Sequence, residues 1–222
     1  MDPSTIAAKQ CLETSDNLTT RIAIHSYSTN PQSWFSWLSE RLTMEGHVFE
    51  ALEIGSAEVR QCDAAQLPFL DHHFDMVIAN SMLYHVDDLH AVLAEFARVL
   101  RRGGKLIVSL SGRDANPELS ALSINVGRPA LALKQARIFA ENAGDLLGRY
   151  FVDVKSERFP GDVSVPTAEP VLAYLNSMDT EEMSAKQTSI ARGFIEGVIG
   201  ATGNFKNGKH TVLFTATGKR QS

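Results

Sequence analysis

An α/β fold with a parallel sheet is the class that this sequence predicts, and three neighbouring stretches predict it. Residues 74–79 (FDMVIA) are a short apolar run, the mark of a strand covered on both faces. Leu89, Val92, Leu93, Phe96, Val99 and Leu100 recur at three- and four-residue spacing, which gathers them on one face of a helix. Residues 106–110 (LIVSL) resume the strand pattern. Strand, helix and strand in that order imply a parallel crossover. Asp87 and Asp88 fit the helix N-cap and first turn, where carboxylates meet unpaired N–H groups. Arg101 and Arg102 suit its negative end, and Gly103 with Gly104 is expected to stop it.

Composition narrows the function classes. A chain of 222 residues, 44% hydrophobic and 21% charged, has the make-up of a soluble globular protein with one domain, or one domain plus a small insert. The net charge of −5 opposes a nucleic-acid partner, and the compact basic cluster at 101–105 (RRGGK) is accounted for by a helix end. Cys11 and Cys62 are too few and too far apart for a disulfide framework. The N-terminus lacks the basic and apolar regions of a signal peptide, and no apolar run approaches the roughly 20 residues that span a bilayer. The expectation is a cytoplasmic protein with no membrane partner.

Taken in order, residues 1–16 are polar and read as a flexible end. Ile22, Ile24 and Tyr27 precede a Ser-Thr-Asn-Pro break, and Trp34, Phe35, Trp37, Leu38 and Leu42 then make an apolar helix. The stretch from Gly55 to Val59 is too short for a parallel crossover, so 51–54 (ALEI) and 58–62 (EVRQC) form one irregular strand or a tight antiparallel turn. Leu67, Pro68 and Phe69 are a turn. His72, His73, His85 and His90 show no ligand spacing such as HExxH, so no metal site is expected. Residues 80–85 (NSMLYH) follow the carboxyl end of a strand, the side on which open α/β sheets bind ligands. His85 there is a base or a substrate-orienting group, or else a cap for the following helix. Residues 113–125 are polar and turn-rich, 130–147 have helical spacing, and 151–159 alternate like a strand. Helices follow around 171–175 and 190–199, and 210–217 is the final strand after the turn residues of GNFKNGK.

DAAQLPF, FDMVIANSMLYHV and FARVLRRGGKLIVSLSG, in this order, resemble the central part of class I S-adenosylmethionine-dependent methyltransferases, in the ubiquinone-biosynthesis-like, type 11 branch. The resemblance runs from about Asn17 to the end and implies a single domain over 17–222. Within it, 17–45 are lid helices, with Tyr27 facing the cofactor, and 160–205 are a helical insert between the last two strands. Glu53 and Gly55 match the end of the first strand and the start of a glycine-rich loop. Asp63 would accept from the adenine amine, unless it is a turn or cap residue, and Ala64 would allow close approach. Asn80 and the backbone at Met82 and Leu83 would complete the cofactor contacts. The rest of the glycine loop and the second strand with its ribose carboxylate are absent, and no glycine lies between Gly55 and Gly103. The implied fold is a doubly wound, Rossmann-like sheet with an antiparallel C-terminal edge, lacking one βα unit. The implied function is methyl transfer from S-adenosylmethionine to a small-molecule acceptor. The alternative is a methyltransferase-like protein without methyl transfer: a binding or partner subunit, or a catalyst of a cofactor-independent rearrangement. The shortened sheet also leaves an edge through which an oligomer can form.

Overall fold

The computed structural model describes residues 15–42, 62–129, 136–179 and 181–220. The expectations for residues 1–14, and for 51–61 with Glu53 and Gly55, lie outside the described residues. In chain order the elements are α1 (Ser15–Ala23), α2 (Trp34–Arg41), β1 (Phe74–Asn80), α3 (Leu89–Val99), β2 (Leu100–Ser111), α4 (Pro117–Asn125), α5 (Ala140–Leu147), β3 (Phe151–Arg158), β4 (Val163–Val165), α6 (Ala168–Ser177), α7 (Ala185–Thr202), β5 (Phe205–Asn207) and β6 (Thr211–Lys219). Two short 3-10 turns, Ile24–Tyr27 and Leu83–His85, complete them. The chain divides into a sheet unit (32–110, 137–159 and 212–222) and a helical unit (1–31, 111–136 and 160–211).

In the sheet unit the strand order is β1-β2-β6-β3. β1 and β2 run parallel, with Met76 opposite Lys105 and Asn80 opposite Ser109, as the strand–helix–strand pattern predicts. β3 and β6 run antiparallel, from Phe151 opposite Lys219 to Arg158 opposite Val212, so the expected antiparallel C-terminal edge is present. Side chains alternate across this sheet with the period of a pleat. Leu106, Val108 and Leu110 of β2, with Val212, Phe214 and Ala216 of β6, join the core of Val92, Leu93 and Phe96 from α3 and Ala143 and Leu147 from α5. Ile107 and Leu213 point the other way and pack with Trp37 and Leu38 of α2. Helices therefore cover both faces. α2 is fastened by Arg41, whose Nε and Nη2 donate to the Glu157 carboxylate at 2.7 and 2.5 Å while its guanidinium lies 3.6 Å over the Trp37 ring.

Four details differ from the sequence expectation. First, α3 ends at Val99 and the chain passes directly into β2, so Gly103 and Gly104 lie in a strand instead of ending a helix. β1 advances from Phe74 to Met76 while β2 advances from Leu100 to Lys105, and the surplus residues bulge from the ladder. Gly103 takes φ +78°, Gly104 packs on the Asp75 carbonyl, and Arg101 pairs with the Asp75 carboxylate at 2.9 Å. Second, β1 is not covered on both faces: only Ala79 is fully buried and Ile78 is 47% exposed. Among the described residues it is the outer strand, with its partner β2 on one side. Third, 113–125 contain α4, with Pro117 in its first turn and Leu119 and Leu122 buried. Fourth, helix α5 starts only at Ala140, because Asn142 Oδ1 accepts from the Phe139 N–H at 2.7 Å and its amide donates to the Arg137 carbonyl at 2.9 Å. Residues 130–135 lie outside the described ones.

In the helical unit, α1, α4, α6 and α7 surround the small antiparallel pair β4–β5. Ile24, Leu119, Leu122, Val165, Val171, Leu175, Ala191, Ile195 and Phe205 form its core. α7 opens on a capping box: Ser184 Oγ accepts from the Gln187 N–H, and Gln187 Oε1 accepts from the Ser184 N–H. Among the described residues no helix is long and apolar enough to cross a membrane.

Candidate functional site

The site candidates of the sheet unit hang on two fixtures. The first is a clamp on the turn before β1. Arg98, in the last turn of α3, donates to Glu95 through Nε and Nη2 at 2.8 and 2.6 Å, to Asp71 at 2.7 Å, and to the carbonyls of Phe69 and Leu67 at 2.9 and 3.1 Å. Glu95 in turn accepts from the Leu67 N–H at 2.7 Å. The Arg98 guanidinium beside them holds the Glu95 and Asp71 carboxyls below the usual carboxylate range. A five-donor fork thus ties a polar turn to a helix that is itself anchored by buried apolar side chains.

Asp63 and Ala64 begin this turn. Asp63 Oδ1 accepts from the Ala65 N–H at 2.9 Å, and its carbonyl accepts from the Gln66 N–H at 3.0 Å. Asp63 is therefore a turn residue, and it is exposed, so its carboxylate keeps acceptor capacity on the solvent side. Ala64, half-buried, borders an apolar groove of about 340 Å³ with Leu67, Met76, Val77, Ile78, Met82 and Phe96.

The second fixture sits where β1 ends. Ser109 of β2 is 1% exposed, inside an otherwise apolar stretch. Its Oγ donates to Asn80 Oδ1 at 2.6 Å, accepts from the Ser81 N–H at 2.9 Å, and lies 3.2 Å from Ser81 Oγ. Ser81 is held at φ +51°, a left-handed backbone that a non-glycine residue adopts at a cost. The chain thereby turns sharply away from the carboxyl end of β1, leaving Asn80 exposed. Ser109 was not among the sequence candidates, and Ser81 lay within the candidate stretch 80–85 with no role of its own.

Beyond Ser81 the side chains diverge. Met82 faces the groove, and its carbonyl accepts from the His85 N–H at 3.0 Å. Leu83 is buried in the sheet core, so only its backbone is available to a ligand. His85 is exposed, with the Tyr84 ring edge-on at 6.2 Å. It does not cap α3: Asp88 does, its Oδ1 accepting from the Ala91 N–H at 2.9 Å. The sheet unit thus contains Asp63, Ala64, Asn80, Met82, Leu83 and His85. Tyr27 belongs to the helical unit, half-buried against that unit's core.

Comparison with known proteins bears on this segment. Residues 37–108 match a family model described as a methyltransferase domain. The chain is 48% identical over 46 residues to a ubiquinone/menaquinone biosynthesis C-methyltransferase of Desulfotalea psychrophila, covering 21% of this chain and 19% of that protein. It is 43% identical over 61 residues to a phosphatidylethanolamine N-methyltransferase of Cereibacter sphaeroides, covering 27% and 30%. These matches span less than a third of the relatives' own lengths. A solved phosphoethanolamine N-methyltransferase 2 of Haemonchus contortus, in complex with S-adenosyl-L-methionine, aligns at 18% identity and a TM-score of 0.39, over 72% of this chain and 36% of that one. The segment 37–108, which holds the clamped turn, β1 and most of β2, is thus similar to the methyltransferase domain family.

Proposed function

We propose that this chain transfers the methyl group of S-adenosylmethionine to a small-molecule acceptor. The observation that carries the reading is the family match of residues 37–108, which contain both the clamped turn and the strand end. The residues there fit the adenosine part of the cofactor. A flat apolar ring suits a groove walled by Ala64, Leu67, Met82 and Phe96, and Asp63 beside it accepts from an exocyclic amine. Asn80, fixed through its oxygen by Ser109, presents an amide donor at the carboxyl end of a parallel strand. When bound, the cofactor supplies an electrophilic methyl carbon on a sulfonium. What the chain adds is position, dryness and, where the acceptor needs it, a proton acceptor. His85 is the group proposed to orient the acceptor or take its proton. The relatives are named for methylation at carbon and at nitrogen, so carbon, nitrogen and oxygen acceptors are all within the proposal. A net charge of −5 supports a small metabolite over a phosphate backbone.

The test is calorimetric titration with S-adenosylhomocysteine, the by-product of the reaction. Micromolar saturation is expected for the native chain. Ala64→Leu, which fills the groove, is expected to weaken it at least about tenfold, or 1.4 kcal/mol. A flat trace from a native chain that melts cooperatively would overturn the proposal.

A further inference from the structure

None of residues 62–73, the turn that begins with Asp63 and Ala64, is buried. Ala64, Ala65 and Leu67 pack against the sheet core while partly exposed, and apolar contact of that kind is non-directional. It brings the turn to the core without fixing how its polar groups are aimed. Residues 63–66 close on themselves: Asp63 Oδ1 accepts from the Ala65 N–H, and the Asp63 carbonyl accepts from the Gln66 N–H. Their orientation is therefore set where they join Leu67. Both main-chain groups of Leu67 are gripped by side chains of α3. Its N–H donates to Glu95 Oε1 at 2.7 Å, and its carbonyl accepts from Arg98 Nη2 at 3.1 Å. Phe96, between those two residues in α3, lines the same apolar groove as Leu67 and Ala64. One helix thus supplies part of the groove and fixes another part of it.

Stability is the weaker reason for this arrangement. The Asp71 carboxylate is 67% exposed, and an ion pair that open adds little to stability. What a guanidinium adds over a single charge is direction. From one rigid plane Arg98 reaches both Glu95 oxygens, the Asp71 carboxylate and the carbonyls of Leu67 and Phe69. Glu95, only 13% exposed, holds the fork from the helix side and donates its own acceptor to Leu67.

We propose that Arg98, held by Glu95, is a positioning residue for the cofactor: by fixing Leu67 it orients Asp63 and Ala64 at the groove before the adenine ring arrives. This role rests on the S-adenosylmethionine reading of the site and assigns to α3 the pre-ordering of its adenine end.

The experiment combines amide hydrogen exchange, read by NMR, with calorimetric titration by S-adenosylhomocysteine, on the full native chain, Arg98→Met and Arg98→Lys. In Arg98→Met the Leu67 and Gln66 amides should exchange about tenfold faster, while those of Ile107 and Val108 in β2 keep their rates. Affinity should fall about three- to tenfold, because the ligand must then order the turn itself. For the same reason bound S-adenosylhomocysteine should slow Leu67 exchange by a larger factor in the variant than in the native chain, a change that a purely structural role would not produce. Arg98→Lys should recover little, since one ammonium cannot span the acceptors of the fork. If Arg98→Met does not melt cooperatively, Glu95→Gln takes its place: it keeps an oxygen for the Leu67 N–H, removes the charge that holds Arg98, and should give smaller changes in the same directions. Equal affinity in the native chain and the variant, unchanged Leu67 exchange, or full recovery in Arg98→Lys would overturn the positioning role and leave the cofactor reading standing. A flat titration of the native chain would overturn both.

Discussion

Replacing Ser109 by alanine tests whether the strand end is built to hold a ligand group. Ser109 Oγ donates to Asn80 Oδ1 at 2.6 Å and accepts from the Ser81 N–H at 2.9 Å. Alanine removes both bonds, together with the longer 3.2 Å contact to Ser81 Oγ, whose exposed hydroxyl turns to water. The Ser81 N–H keeps the Ser109 carbonyl at 3.2 Å, and the exposed Asn80 amide is rehydrated. Two neutral hydrogen bonds at about 1 kcal/mol each give a loss of about 1–2 kcal/mol in stability. For a chain of this size that is a fall in melting temperature of about 2–8 °C. The ligand effect is separate. Untethered, Asn80 must be ordered on binding at about 0.5–1.5 kcal/mol, a two- to tenfold loss of S-adenosylhomocysteine affinity. A double-mutant cycle isolates this cause. Once Asn80→Ala has removed the amide, Ser109→Ala should cost little further affinity, whereas independent effects would add within about 0.5 kcal/mol. Full additivity in the calorimetric affinities would refute the claim that Ser109 acts through Asn80.

Leu93→Ala removes a side chain with 0% exposure from the α3 core, and chemical denaturation should show a loss of about 3–4 kcal/mol with an unchanged m-value. Gly112→Ala places a Cβ against the His210 ring, so the ring or the loop must move; about 1–3 kcal/mol of destabilisation is expected by the same measurement. Because Lys209 is depressed to about 8 when folded, the unfolded chain binds more protons between about pH 8 and its ordinary value near 10.4. The native chain should therefore gain stability relative to Lys209→Met as pH rises through that window, and thermal melts giving a constant difference would contradict it. His25 works at the acid end. With a folded value of about 4, its contribution is intact above about 6.5 and lost as pH falls towards 4, so His25→Gln should flatten that part of the stability profile.

The elements with strict periods were legible in the sequence because burial on one face dictates them. Leu89, Val92, Leu93, Phe96 and Val99 needed only a helix of 3.6 residues per turn, and the alternating Leu106, Ile107 and Val108 needed only a pleat between two layers. Gly103 and Gly104 were misread because a glycine pair after a helical run signals a cap and a bulge equally well. What separates them is the pairing of β2 with β1, a contact with residues 74–80 that no local pattern carries. Asp63 was open between an adenine acceptor and a turn residue, and its bond to the Ala65 N–H, two residues on, makes it a turn residue.

The polar residues that fix Asn80 and Asn116 were hidden for a different reason. Ser109 looks like a small filler in LIVSLS, and Asn116, Asn207 and Lys209 look like ordinary turn residues. Their bonds run to residues 29, 91 and 93 positions away. Local composition carries no trace of such pairings, whereas a buried polar atom must have a partner. Among the described residues no buried side-chain nitrogen or oxygen lacks one. In both places the hydrogen-bonding capacity of a buried residue is spent on fixing a more exposed one: Ser109 fixes Asn80, and Asn207 fixes the Asn116 that holds Lys209. Each buried residue also serves the backbone, since Asn207 accepts from the Leu119 N–H and Ser109 from the Ser81 N–H, so an apolar residue in either place would remove a partner from a main-chain donor. For Asn80 the consequence is an exposed amide whose oxygen is already fixed, the orientation that the Ser109→Ala cycle tests.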